Sequence, residues 1–533
     1  MKLNYAKTIE KWGIFEVTIS GPKEGNPFCD QWIKGTFCCK NEKKTVDGFY
    51  DGDGAYKVRF MPSFTDKYTF EIESSFDINA GEEVPEHKLG IADGGKEAEK
   101  CAVRNMLTGS FTVTSPSEDN HGPVRVAGTY YLSYEDGTPY HCIGTTCYVW
   151  NLQNEELQKQ TLKTLEENAF NKIRFCIFPK HYDYNLHEPI TYPYEGTPCD
   201  SSVLNESNFA EYNGCAPGND WDFTRFNPAH FQHIEKCIQA LMNLGIEADL
   251  IVMHPYDRWG FSMMKAEDDD RYWKYVLARF SAYRNVWWSL ANEYDLMHEK
   301  TLSDWERYAS IICEKDPYHH LRSIHNCKAY YDYNLPWITH CSIQRTETYR
   351  SSELVNEWRE KYHKPVILDE ICYEGNIQFG WGNISGEEMT RRFWEAFCRG
   401  GYPGHGETYL SPDRILWWSH GGVLHGTSPD RIRFLAKIME ETPGLGVEPM
   451  PCKWDEVACR ATGFPARKDY FIYYYSFMRP GFRDFYFDDT TEYQVEIIDT
   501  WEMTITDGGI HKGKFRVQLP GKEYMAVRLQ IAK

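Results

Sequence analysis

The sequence predicts a multidomain chain: a central (β/α)8 barrel, flanked by an N-terminal immunoglobulin-like β-sandwich and a small C-terminal β-sandwich domain. Three observations predict it. Between about residues 135 and 440, short apolar runs alternate with stretches of helical periodicity, which implies a parallel sheet covered by helices. On both sides of that region the runs alternate apolar and polar between Gly, Pro and Asp turns, as antiparallel sheets do. Two apolar runs end abruptly in acids, Glu293 and Glu370, 77 positions apart. A strand–helix unit takes roughly 25–30 residues when ~250 residues make eight, so the gap fits three units and sets these acids after strands 4 and 7. The 533 residues exceed a single core, and the expected domains are 1–125, 126–444 and 445–533.

Each element follows in order. Residues 14–20 and 67–73 alternate as strands, separated by turns at Gly21-Pro22, 51–54 and Gly94-Gly95. The segment 48–62, dense in Gly, Asp and Tyr, reads as a hairpin docking the sandwich onto the barrel, with sugar binding as the alternative. In the barrel, 142–148 is strand 1, 155–169 a helix with Leu157, Leu162 and Leu165 on one face, and 172–178 strand 2. The loop-rich stretch 180–225 is long enough to be functional. Asn227-Pro228 caps and starts the next helix. Strand 3 is 244–253, running into His254, Asp257 and Arg258. Helix 268–284 leads to the Glu293 strand; 321–325 and 337–344 are strands 5 and 6, 364–370 strand 7, and 400–409 strand 8. Every connection is expected to carry a helix. After 445, runs at 471–476, 493–498, 514–519 and 524–529 alternate again.

Composition bounds the function. Aromatics make up 15%, with 17 Trp and 36 Tyr, which suits either ring stacking on sugars or large cores. A net charge of −20 argues against nucleic acid as a partner. No window approaches the ~20 apolar residues of a membrane span. The N-terminus lacks the apolar core of a signal peptide. The 17 cysteines, several inside apolar runs, read as free thiols in a reducing compartment. These features predict a cytoplasmic enzyme with a small carbohydrate substrate, no metal and no cofactor; a homo-oligomer is left open.

The chemistry sits at the C-terminal ends of the strands, where barrel enzymes keep their reactive groups. Asn292-Glu293 sets an amide beside an acid. The amide can bind a sugar hydroxyl, and the acid can protonate a leaving oxygen and later deprotonate water. Glu370 can attack the anomeric carbon. A structural carboxylate paired with an arginine is the bland alternative for either acid. His254, Asp257 and Arg258 after strand 3, and His405 and Glu407 after strand 8, are candidates for binding hydroxyls. Trp418 in 417–422 is a candidate aromatic wall. Glu374 competes with Glu370 as nucleophile, but lies beyond the apolar run. Asp369 is expected to point away from Glu370 by strand alternation. Long loops at 180–225 and 374–385 favour a closed pocket and exo action.

These motifs resemble the large clan of retaining (β/α)8 glycoside hydrolases with Asn-Glu after strand 4 and Glu after strand 7. More narrowly, 48–62, 285–295, 365–375 and 404–418 are similar to apiosidase-like glycoside hydrolases, in which a β-sandwich precedes the barrel and a small β-domain follows. The resemblance implies Glu293 as acid/base, Glu370 as nucleophile and Arg174 as the arginine that holds the nucleophile. The clan often has a tyrosine after strand 6 against the nucleophile. Here strand 6 ends in Gln344, which the resemblance puts in that place. Two other classes compete: a non-catalytic carbohydrate-binding protein, and a metal-dependent barrel hydrolase using the strand-end histidines. The absence of a His-x-His pair on strand 1 weighs against the latter. A transglycosylase would share all the residues.

Overall fold

The computed structural model describes residues 5–78, 105–347, 350–451 and 456–532; the Gly94-Gly95 turn lies outside them. Eight parallel strands build the centre: Gly144–Thr146, Lys172–Cys176, Glu247–Met253, Val286–Ala291, Arg322–Ser323, Cys341–Gln344, Val366–Glu370 and Tyr402–His405, here barrel strands 1 to 8. They lie side by side in the order 5-4-3-2-1-8-7-6. A single parallel bridge, His325 to Ser342, brings strand 5 to strand 6 and nearly closes the barrel. Strands 2, 3, 4 and 7 are buried at every position. That is the expected consequence of covering both faces of a parallel sheet, and it is why apolar residues dominate there on both faces, interrupted by the charged residues of strands 2, 3 and 7.

Helices cover the outside at Glu155–Glu166, Pro228–Asn243, Ala266–Phe280, Leu302–Lys315, Val355–Tyr362, Gly386–Cys398 and Ser428–Glu440. Local chemistry fixes their starts. The Asn154 side chain accepts from Leu157 N, Asn227 caps with Pro228 at the first turn, and Thr301 and Asp304 form a reciprocal capping box. One expectation fails: the connection from strand 5 to strand 6, 324–340, carries no helix among the described residues. Asp332 folds back on Asn334 N and Pro336 follows, so turn chemistry prevails there. The fully buried Tyr333 packs in place of a helix, donating to Ile324 O at 3.2 Å.

The interior is polar at one level. Lys172 of strand 2 reaches Asp249 of strand 3 and Asp369 of strand 7, each at 2.7 Å. Strands 2 and 7 are not neighbours, so this ion triad spans the barrel. Asp369 therefore points inward, and Arg174 lies near both acids, 3.8 Å from Asp369 and 3.4 Å from Glu370. The expected opposite orientation fails because strand 7 ends at Glu370, beside a register shift between Ser342 and Gln344.

The N-terminal segment forms a five-stranded sheet (Thr8–Glu10, Met106–Thr114, Lys67–Ser74, Ile33–Cys38, Lys43–Asp47) and a three-stranded one (Phe15–Ser20, Ala55–Phe60, Phe49–Tyr50). Phe15, Phe37, Phe60, Phe70 and Phe111 fill the core between them. The 48–62 segment is a hairpin that docks on the barrel helices. Arg59 donates to Glu235 and to Arg279 O, and Asp51 pairs with Arg279 at 2.7 Å. The C-terminal segment forms a six-stranded antiparallel sheet (Val447–Met450, Val457–Ala461, Tyr470–Tyr474, Met525–Ile531, Tyr493–Asp499, Thr504–His511) and a two-stranded antiparallel one, Phe482–Tyr486 with Lys514–Gln518. Trp394 of the barrel stacks on Tyr474, ring centroids 5.5 Å apart. No helix is long and apolar enough to cross a membrane among the described residues.

Candidate active site

Glu293 lies two residues past the end of strand 4 and holds a left-handed backbone, φ 51°. A non-glycine residue rarely adopts it, and at a strand end such strain serves to aim a side chain. Glu293 and Glu370 are buried but not sealed, at 6% and 7% exposure. Around Glu370 three donors converge. Arg174 Nη1 lies 3.4 Å from Oε1, His325 Nε2 lies 3.2 Å from it, and the Tyr148 hydroxyl donates to it. Arg174 also binds Asn292 Oδ1 at 3.0 Å, so one guanidinium fixes the amide and the second acid together. Around Glu293, Tyr256 donates to Oε2, Gln344 Nε2 to Oε1 at 3.0 Å and Asn292 Nδ2 to Oε2 at 3.2 Å. Gln344 Oε1 meets His325 Nε2 at 3.2 Å. The acids are thus joined by the chain Glu293–Gln344–His325–Glu370.

These surroundings drive the acids apart. Burial raises both. At Glu293 the neighbouring charge of Glu370 raises it further, and its pKa stands above the usual carboxylate range. At Glu370 burial is outweighed by His325, Arg174 and Tyr148, and the pKa falls below that range. The two pKa values move in opposite directions, the separation that an acid and a nucleophile require.

The other sequence-predicted residues divide. Arg174 and Asn292 stand between the two acids, bonded to each other. Gln344 does too, but it touches Glu293; the hydroxyl against Glu370 comes from Tyr148, beyond strand 1. Trp418 joins the wall, 5.6 Å edge-on from Tyr148 and 5.2 Å from Trp381 between ring centroids. His254 is buried, its Nε2 3.3 Å from Phe178 O, and burial lowers its pKa to about 3. Asp257 and Arg258 turn into the loops. Asp257 accepts from Trp259 N and Ser262 N at 2.8 Å each, and Arg258 binds Leu186 O at 3.0 Å and pairs with Glu188.

His405 and Glu407 face away from the centre. Gly144 lies beside the Lys172 side chain in the interior; Thr145 must face outward, and His405, its register partner, with it. Glu374 touches Tyr409 and the backbone of 427–428, not Glu370.

Three contributors, Tyr148, Tyr256 and Lys180, are not singled out by the sequence, and His325 reads there only as one of the strand-end histidines. Lys180 is 3% exposed. Its ammonium lies 3.5 Å from the Tyr148 ring centroid, 4.3 Å from Tyr256 and 4.5 Å from Trp418. Burial lowers its pKa to about 8, against Glu293 and Glu370, which raise it. Such a caged cation adds positive potential beside two acids. The loops 180–225 and 374–385 meet through Tyr184 and Gln378.

Comparison with known proteins finds relatives along the whole chain. The apiosidase-like catalytic domain matches residues 127–433. Two domains of unknown function match the flanks, DUF5060 over 8–75 and DUF5605 over 454–530. A solved structure from Bacteroides vulgatus ATCC 8482, described as a candidate glycoside hydrolase, is 36% identical over 99% of this chain and 100% of its own, with a TM-score of 0.86. A glycoside hydrolase family 5 structure from the same organism shares the fold, at 16% identity over 77% of this chain and 93% of its own, TM-score 0.58. No curated protein matches. The chain belongs to the apiosidase-like family, and it is a glycoside hydrolase built on a (β/α)8 barrel.

Proposed function

We propose that this enzyme removes a terminal sugar from an oligosaccharide or glycoside by double displacement, with retention of anomeric configuration. One observation carries the reading: two carboxyls, one just past strand 4 and one at the end of strand 7, each held by its own donors and joined through Gln344 and His325, with pKa values moved in opposite directions. Protonated Glu293 gives its proton to the leaving oxygen as Glu370 attacks the anomeric carbon. The glycosidic bond breaks and a glycosyl–enzyme ester forms. Arg174, His325 and Tyr148 keep Glu370 ionised and aimed. Glu293, now a carboxylate, takes a proton from water; the water oxygen attacks the same carbon and frees Glu370. Asn292 is placed to bind a hydroxyl next to the reacting carbon, and Trp418 to stack on a ring face. His254 is kept as a hydroxyl-binding candidate only through its unbonded Nδ1. The meeting of the two long loops supports a closed pocket and exo action.

The flanks support a finer architecture. Two packed sheets with an aromatic core fit an immunoglobulin-like sandwich over 1–125, followed by the barrel at 126–444 and a β-domain at 445–533. The fifteen described cysteines are all free, which supports a reducing, cytoplasmic site, and the Bacteroides relative supports a bacterial origin. NMR of the first-formed sugar tests the mechanism. Release of the substrate's own anomer is the expected result; release of the opposite anomer would mean that water, not Glu370, attacks the substrate.

A further inference from the structure

Behind strand 8, outside the proposed site, three ligand-type side chains meet. Glu374, His405 and Glu407 each offer an atom within 4.8 Å of the others, and they are 0%, 0% and 1% exposed. Glu374-Gly375 pairs in parallel with Glu407-Thr408, which sets the two carboxylates at the same register. A Cβ built on Gly426 would lie 2.5 Å from Glu374 Oε2 and 2.7 Å from Glu407 Oε2, so both oxygens bound the same small space.

The donors around these acids are neutral. Glu407 accepts from His425 N at 2.6 Å and Gly426 N at 2.8 Å. Glu374 accepts from Thr427 N, Thr427 Oγ1, Ser428 N and Tyr409 Oη. Among the described residues no lysine or arginine bonds either one. Glu374 Oε2 and both Glu407 oxygens each accept a single N–H, which leaves each a second lone pair. His405 is equally telling. Its Nδ1 is taken by Thr145 Oγ1 at 3.1 Å and its ring stacks on Phe170, while Nε2 is fully enclosed without a partner. A buried imidazole nitrogen with no partner is costly, as are two buried carboxylates without a counter-charge.

We propose that Glu374, His405 and Glu407 bind one divalent transition ion of the Zn2+ class. One imidazole and two carboxylates favour such an ion over Ca2+ or Mg2+, which prefer oxygen alone. The Nδ1 contact with Thr145 orients the ring as second-sphere partners of metal-bound histidines do. The enclosure leaves no path for substrate, so the ion would clamp the strand 7 extension, strand 8 and the start of helix Ser428–Glu440 behind Glu370.

The test uses the full-length, tag-free protein. Elemental analysis of protein dialysed against Zn2+ and then metal-free buffer should give about one equivalent per chain. Zn2+ at 1 mM should raise the melting temperature of chelator-treated protein by ~3 °C or more. The double variant Glu374→Gln, Glu407→Gln removes the charge at constant volume; it should bind less than a tenth of an equivalent and lose the Zn2+ shift. Wild-type protein that holds no metal and melts at the same temperature with Zn2+, Mn2+ and chelator would overturn the site and leave a proton shared between the two acids. Equal zinc in wild type and double variant would equally overturn it, by placing the metal elsewhere.

Discussion

Glu293→Ala and Glu370→Ala are expected to cause the largest losses of activity. General acid–base catalysis contributes roughly 10²–10⁴-fold, and Glu293→Ala should lose about that much on substrates with poor leaving groups. Glu370→Ala removes the attacking atom itself and should lose at least as much. Folding should survive, because both side chains sit at strand ends, next to the cleft. The two variants then part. With an activated aryl glycoside, azide should restore turnover in Glu293→Ala, since azide needs no general base, and the product should be a β-glycosyl azide if the substrate is a β-glycoside. The pH dependence carries the same signature. Glu370 has a lowered pKa and must be ionised, so activity falls as pH drops through that value. Glu293 has a raised pKa and must be protonated, so activity falls as pH rises through it. The alkaline limb should vanish in azide-rescued Glu293→Ala. Near wild-type activity in either variant would remove that residue from the mechanism.

Deleting 445–533 should have the largest effect on stability. Trp394, Phe397, Ile438 and Met439 of the barrel helices share one continuous buried core with Val447, Val457, Tyr470, Ile472, Tyr474 and Ile498. Each such side chain is worth ~1.5–3 kcal/mol when buried. Exposing several together approaches on the order of 10 kcal/mol, comparable to the whole stability of an ordinary domain. The 1–444 fragment should be insoluble or lack a cooperative unfolding transition. A soluble, fully active fragment would make the C-terminal sheet a separable module.

Much of this was legible in the sequence. Strands 2, 3, 4 and 7 are buried on both faces, so they read as apolar runs, and the acids that end them stand out. Arg174 and Asn292 were recoverable through family resemblance. Other features depend on parity and on contacts across the barrel. Gly144, Thr146 and Tyr148 alternate on one side, so strict counting from Gly144 would have brought Tyr148 to the centre and turned His405 outward. Asp257 and Arg258 follow strand 3 immediately, yet the loop they enter bends back, and its own backbone and Glu188 claim them. Lys180, inside a long loop, has no periodicity at all; only the convergence of Tyr148, Tyr256 and Trp418 gives it a place. The helix missing between strands 5 and 6 had a visible cause in Asp332, Asn334 and Pro336.

The central claim is that Glu370 becomes covalently bound to the sugar. Incubation with a 2-deoxy-2-fluoro glycoside bearing an activated leaving group, followed by proteolysis and peptide mass spectrometry, tests it most directly, because the fluorine slows breakdown of the glycosyl–enzyme ester. The sugar fragment should be found on the peptide containing Glu370, at that residue, and should be absent in Glu370→Ala. An adduct on Glu374, or hydrolysis of the probe without any adduct in wild type, would contradict the account.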